Sequence, residues 1–177
     1  DEAYREFVTT PDAVRAEDYL GRDNRIIGLR TFSKAYGLAG LRIGYIVANP
    51  ACIELMAKVK LPFNVNAFAQ LAALYHLEHP EFARRHVETI LAERERVANA
   101  FRSRNMDVMD TETNFMLVHL PVSVGQLNPR LLKKGFIIRP GSIWGLDRHM
   151  RYSLGSPEQN DAFLACLDSL MESDNDR

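Results

Sequence analysis

The chain is poor in cysteine, tryptophan and net charge, and each shortage narrows what it can be. Its two cysteines, Cys52 and Cys166, both sit in apolar helical patterns. They read as packed thiols in a reducing compartment rather than as a disulfide framework. The 22 basic and 23 acidic side chains nearly cancel, so the sequence offers no electrostatic footprint for nucleic acid. The longest apolar runs are far too short to span a bilayer, and no membrane partner is expected. The five histidines do not gather: His76 and His79 could share a helix face, but no third ligand accompanies them, and no metal site is expected. No internal repeat or low-complexity tract is present. What remains is 177 residues with 46% hydrophobic content, enough for one or two domains with a core.

Against this background one string carries chemistry: Thr31-Phe32-Ser33-Lys34-Ala35-Tyr36-Gly37-Leu38-Ala39-Gly40-Leu41-Arg42-Ile43-Gly44-Tyr45. It sets a lysine directly after an apolar, β-branched run at residues 26–31, among hydroxyls, glycines and a second cation. Such a strand delivers the lysine to the carboxyl end of a sheet, where ligands of open α/β folds bind. A lysine beside Arg42 and under apolar cover sheds its proton readily and attacks a carbonyl. Thr31, Ser33 and Arg42 can hold a phosphate, the arginine through planar donors and the hydroxyls through single bonds. An aldehyde that carries a phosphate is the ligand this loop suits. A lone Ser-Lys pair would more often be a solvated turn, but the whole ordered string makes that reading poor.

The string resembles the Schiff-base lysine signature of the fold-type-I aminotransferases that use pyridoxal phosphate. In wording it is most similar to histidinol-phosphate aminotransferases, as is Pro62-Phe63-Asn64-Val65-Asn66-Ala67. That resemblance implies that Lys34 carries pyridoxal 5'-phosphate and that Arg42 and Ser33 bind its phosphate, with Thr31 assisting. The opening Asp1-Glu2-Ala3-Tyr4 matches a second family element, in which an aspartate pairs with the pyridine nitrogen and a tyrosine hydroxyl bonds the ring oxygen. Asp1 and Tyr4 stand in those positions. In the family the aspartate ends a strand, so the chain is expected to be a C-terminal half, with the stacking aromatic and the Asn-Pro loop lying upstream. Asn49-Pro50 and Asn128-Pro129 read as ordinary helix starts.

Periodicity fills in the rest. A second strand is expected over 41–48, a helix capped by Asn49 to about residue 60, a break over 61–66 and a helix from 67 to about 77. Apolar Ala83, Val87, Ile90, Leu91, Val97, Ala98 and Phe101 recur at three- and four-residue steps, which predicts one long amphipathic helix over 81–102 with a solvated charged face. Beyond it come strands at 106–109, 114–120 and 136–139, a helix over 126–134 stopped by Gly135, and an alternating strand at 149–154. Ser156-Pro157-Glu158-Gln159 is a capping box that opens a terminal helix to about residue 171, and 172–177 reads as a polar tail.

Arg151 and Arg139 are the candidate substrate residues. A bidentate guanidinium on a rigid strand fixes an amino acid's carboxylate so that one Cα bond is aligned for reaction. The string from Ile138-Arg139-Pro140-Gly141 to Met150-Arg151-Tyr152-Ser153-Leu154-Gly155 resembles the family's C-terminal substrate-binding element, which implies that Arg151 takes the α-carboxylate and Arg139 lies near the substrate. An arginine ending a strand is commonly a surface ion-pair partner, and that plainer reading of Arg139 stands beside the first. His149 reads as a surface residue flanking Arg151.

The implied fold is α/β: the later part of a pyridoxal-phosphate transferase large domain, mostly parallel sheet with helices, over 1–80. A connecting helix follows over 81–104 and a small α+β domain over 105–177. The implied activity is transamination of histidinol phosphate with 2-oxoglutarate/glutamate in histidine biosynthesis, between a small-molecule amino donor and a keto-acid acceptor. A cytoplasmic homodimer with its sites at the subunit interface goes with that resemblance. A threonine-phosphate-type decarboxylase, an aromatic amino-acid aminotransferase of the same fold, and a fragment or binding module without catalysis are the other readings.

Overall fold

In the computed structural model, residues 1–175 are described, and they divide into two compact units, Asp1–Val87 and the described residues from Glu88 onward. In the first unit, β1 (Ile27–Thr31) and β2 (Gly44–Ala48) form an antiparallel pair in which Thr31 faces Gly44 and Ile27 faces Ala48. The fold is α/β as expected, but the pairing is a correction to the parallel sheet anticipated for this region: both sheets among the described residues are antiparallel. The reason is the link between the strands. A parallel return needs a crossover, usually helical, whereas residues 32–43 hold only tight turns and one short 3-10 helix, Ala39–Leu41. That helix also corrects the start of β2, expected at residue 41.

Gly44 has a steric reason to be glycine. A Cβ there would stand 2.5 Å from the Arg30 carbonyl oxygen, closer than side chains come. On the far side of β1 the Glu2 amide donates to the Leu29 carbonyl at 2.9 Å, which lays the first residues along the strand. The Glu2 carboxylate extends this clamp, accepting from the Ala16 amide at 2.7 Å and from Arg30 Nε at 2.8 Å. Burial works against the charged carboxylate, but those two bonds and the arginine's charge outweigh it and hold the Glu2 pKa below the ordinary range.

Two helices complete most of this unit. α1 (Pro50–Val59) starts where Asn49 and Pro50 predict, with Asn49 Oδ1 accepting from the Ala51 amide at 3.0 Å. None of its residues is buried within this unit. α2 (Ala67–Glu78) is capped by Asn66, whose Oδ1 accepts from the Ala69 amide at 2.8 Å. Ala69 and Ala73 face inward from it while Phe68 and Leu71 face out. Phe63, between the helices, is 100% exposed and takes the left-handed φ of +56°.

α3 (Pro80–Arg102) begins in the first unit and ends in the second. In the second unit a three-stranded antiparallel sheet has the order β3 (Phe115–His119), β5 (His149–Ser153), β4 (Arg139–Pro140). Alternation sends Met116, Val118, Met150 and Tyr152 into a core shared with Phe101, Leu127, Leu131, Phe163 and Leu167. α4 (Val124–Lys133) starts at Ser123, whose hydroxyl accepts from the Gly125 amide at 3.2 Å. Pro129 therefore lies inside α4, which corrects the reading of Asn128-Pro129 as a helix start. Gly135 ends the segment at φ +85°. Residues 106–109 do not form the expected strand: they make one bridge, Val108 to Val118, along the edge of β3. Of the strand expected at 136–139 only Arg139 falls in β4 (Arg139–Pro140), and Ile137 just before it is 87% exposed.

α5 (Pro157–Asn175) opens with the expected capping box, the Ser156 amide donating to Gln159 Oε1 at 2.9 Å and the Gln159 amide to Ser156 Oγ at 3.3 Å. The helix runs on through residues expected to be tail, and the last two of that tail lie outside the described residues. Asn160, 0% exposed, is the centre of a buried polar network: its Oδ1 accepts from the Tyr152 hydroxyl at 2.7 Å and from the Gly155 amide at 3.0 Å, while its Nδ2 donates to Glu93 Oε2 at 2.7 Å.

Candidate active site

The loop after β1 is pinned at the two buried residues flanking Lys34, Phe32 and Ala35. Phe32 packs against Tyr36 and Tyr45 at ring-centroid distances of 4.8 and 5.8 Å. Backbone bonds close the loop: the Gly37 amide to the Lys34 carbonyl at 3.0 Å and the Leu38 amide to the Phe32 carbonyl at 2.9 Å. The Thr31 hydroxyl accepts from the Ser33 amide at 3.0 Å, so its oxygen is fixed beside the second hydroxyl. Arg42 takes φ +56°, a left-handed conformation uncommon for a side chain of its size, and its Nη1 donates to the Ala39 carbonyl at 2.7 Å. Asn66 Nδ2 donates to the Leu41 carbonyl at 3.3 Å and ties the start of α2 to the same loop.

These constraints open a cavity of about 370 Å³ whose lining includes Asp1, Thr31, Ser33, Lys34 and Arg42. Five residues singled out from the sequence thus meet in one concavity. Tyr4 is beside it, with Lys34 Nζ 5.3 Å from the centre of its ring. Asp1 is held by its own backbone, its Oδ1 accepting from the Ala3 amide at 3.0 Å. The apolar cover expected over the lysine is not formed by the described residues of this unit: Lys34 is half-buried and Arg42 is exposed. Chemically, the cavity offers one primary amine, one guanidinium, two hydroxyls and one carboxylate.

Arg30 was missed in the sequence, where it read as an ordinary strand residue. It lines the same cavity and is nearly enclosed, gripped by Glu2 at 2.8 Å and by Glu17 at 2.5 Å. No local pattern marks it, since both partners come from the segment before the strand. Its job is to bind that segment, and with it Asp1, to β1.

In the second unit, Arg139 and Arg151 lie directly opposite each other on β4 and β5. Arg139 is exposed, whereas Arg151 is half-buried and its guanidinium carbon sits 5.1 Å from the centre of the Phe115 ring. Among the described residues neither has an ion-pair partner, so the surface ion pair considered for Arg139 is not formed. No group of three or more histidine, cysteine or acidic side chains able to hold a metal occurs among the described residues, and no helix there is long and apolar enough to cross a membrane.

Comparison with known proteins gives this geometry its context. A histidinol-phosphate aminotransferase of Halalkalibacterium halodurans is 41% identical over 94% of the chain and 45% of its own length. The solved histidinol-phosphate aminotransferase of Sinorhizobium meliloti, in complex with pyridoxal-5'-phosphate, superposes with a TM-score of 0.88 at 27% identity, over 98% of this chain and 48% of that one. The L-threonine-O-3-phosphate decarboxylase of Porphyromonas gingivalis superposes with a TM-score of 0.79 at 30% identity, over 96% and 53%. The chain spans about half the length of the relatives it matches. Residues 1–167 match the family described as aminotransferase class I and II, and the chain belongs to that family.

Proposed function

We propose that this chain supplies the lysine-bearing part of a pyridoxal-phosphate-dependent aminotransferase site, acting on histidinol phosphate with the keto acid 2-oxoglutarate and its amino-acid counterpart glutamate as the second substrate pair. The observation that carries the reading is the single cavity in which Lys34, Asp1, Thr31, Ser33 and Arg42 meet. The donor set fits the cofactor. Arg42 with Ser33 and Thr31 would bind its phosphate, Asp1 its ring nitrogen, Tyr4 its ring oxygen and Lys34 its aldehyde. When bound, the group supplies an electron sink for the bonds at the substrate's Cα. Lys34 then has two tasks, holding the aldehyde at rest and moving a proton at Cα during turnover. The Asp1 carboxylate keeps the ring nitrogen protonated, which Arg30 assists by fixing the Asp1 segment. Arg151 binds the acidic group of the substrate, with Arg139 adjacent.

The domain reading that goes with this is a large-domain portion over 1–80, a connecting helix over 81–104 and a small domain over 105–177. A homodimer in the cytoplasm completes the proposal, the apolar Phe63, Phe68 and Leu71 supporting a partner on that side of the first unit.

Borohydride reduction of protein loaded with pyridoxal phosphate tests it. Peptide mapping is expected to find the pyridoxyl group on Lys34, and a label on Lys58, Lys60, Lys133 or Lys134 instead would overturn the assignment. The likeness to the threonine-phosphate decarboxylase favours one second reading, decarboxylation at the same site. Product analysis separates the two, carbon dioxide against a keto product.

A further inference from the structure

The outer face of the second unit's sheet collects nitrogen-bearing side chains, two of them with a nitrogen that has no partner among the described residues. Met150 and Tyr152 are buried on the inner face, so alternation puts His149 and Arg151 together on the outer one. Register adds a neighbour to each: His119 stands opposite His149, their rings 5.0 Å apart and edge to face, and Arg139 stands opposite Arg151. Like charges placed directly opposite are unfavourable, and no carboxylate among the described residues offsets this pair. Two nitrogens on this face, His149 Nδ1 and Arg151 Nε, are shut off from solvent and have no hydrogen-bond partner among the described residues. An unpartnered buried donor is unfavourable, and native structures rarely keep one without use. Here two occur on one strand, with Cα atoms about 7 Å apart by strand geometry.

We propose that His149 is a substrate-recognition residue, donating from Nδ1 to the same oxyanion that Arg151 binds. This rests on the reading of Arg151 as the anchor of a substrate's acidic group. Arg139 adds the second positive charge, and His119 holds the imidazole by its edge. Gly141 lets the backbone close tightly around the start of β5, since a Cβ there would stand 2.6 Å from the Leu146 carbonyl oxygen and 2.7 Å from that of His149. The ligand chemistry follows from counting. Two guanidinium groups and an imidazole N–H match a phosphate monoester, with its second charge and three free oxygens, better than a carboxylate with one charge and two oxygens.

The test is a titration of the full chain with inorganic phosphate, read on the imidazole and Arg151 Nε–H nitrogen resonances, because Arg42 offers phosphate another place to bind. His149 is expected to shift saturably, and Arg151→Ala to abolish the shift. His149→Ala should weaken binding, read at Arg151, by about tenfold or more, the loss of one charged hydrogen bond. His149→Asn, which keeps an N–H near the Nδ1 position, should restore most of it. Phosphate binding that needs Arg151 but leaves the His149 resonances and the His149→Ala affinity unchanged would overturn the role of His149 and leave Arg151 as the anchor. A shift indifferent to Arg151→Ala, or no saturable shift at either residue, would overturn both. Acetate binding as tightly as phosphate would overturn the preference for a phosphate monoester.

Discussion

Asn160 on α5 donates from Nδ2 to Glu93 Oε2 on α3 at 2.7 Å, and both side chains are buried. Glu93 in turn receives two bonds from Arg96, at 2.7 and 2.8 Å, while Asn160 accepts from Tyr152. The pair therefore ties α3 and α5 to each other and, through Tyr152, to the strand that carries Arg151.

Truncating the amide should be costly. Asn160→Ala strands the Tyr152 hydroxyl and the Gly155 backbone and leaves Glu93 one donor short, so a loss of about 3 kcal/mol is expected. Chemical denaturation with an unchanged m-value would check it; a loss below about 1 kcal/mol would mean that water replaces the amide.

The same network should be sensitive to acid. The Arg96 bonds, which outweigh burial, together with the Asn160 bond, hold the Glu93 carboxyl below the ordinary glutamate pKa. A carboxylate with a depressed folded-state pKa contributes stability that is complete above the unfolded value of about 4.3 and is lost as pH falls through the lower folded one. Glu93→Gln should therefore lower stability at pH 7 and flatten the acid limb of the stability–pH curve below about pH 4.3. An acid limb as steep in the variant as in the parent would assign it to other carboxylates, Asp168 beside Arg104 being the next.

Lys34→Ala removes the amine without disturbing Phe32 or Ala35, which pin the loop. Transamination should fall to background while pyridoxal phosphate still binds noncovalently through Arg42 and Asp1, shown by an absorbance peak that washes out on dialysis. Turnover that survives would remove Lys34 from its role as proton carrier.

Gly44→Ala places a methyl 2.5 Å from the Arg30 carbonyl oxygen. Backbone must move, and a cost of about 1–3 kcal/mol is expected, as for other overpacked sites. Because the strain falls where β2 meets the Lys34 loop, cofactor affinity should weaken with it. Thermal melts with and without pyridoxal phosphate read both effects.

The proposed homodimer makes Phe63 a sharp probe. A phenylalanine 100% exposed in the chain should be covered by the partner copy, so Phe63→Asp is expected to shift the protein to monomer in size-exclusion chromatography. Unchanged dimer elution would move the interface elsewhere.

Much of this was legible in the residues. Asn49-Pro50, the Ser156 capping box and the long stripe of α3 each rest on contacts within a few positions, and the structure places all three where expected. The cavity around Lys34 was legible in its residues as well, because Thr31, Ser33 and Arg42 share one short loop with the lysine. What failed depended on distant partners. The strand at 106–109 has the composition of a strand but only one bridge to β3. Pro129 sits inside α4 because Ser123, upstream of it, supplies the cap. Arg30 could not be recognised from its neighbours, since Glu2 and Glu17 come from outside its strand. The orphaned Nδ1 of His149 is invisible to sequence altogether, as burial of a single atom has no pattern.

Arg42 sits in a backbone conformation that suits glycine, φ +56°. A non-glycine residue there gives up about 1–2 kcal/mol in strain, against which a glycine would lose about 0.4–1 kcal/mol through the greater freedom of its unfolded chain. Stability alone therefore mildly prefers Arg42→Gly, while the proposed phosphate binding demands the guanidinium. Directed evolution for thermal tolerance without a catalytic screen would be drawn to discard this arginine early. Libraries selected under both pressures should instead keep it and recover the lost stability at positions such as Asn105, which carries a left-handed φ of +57° outside the Lys34 cavity.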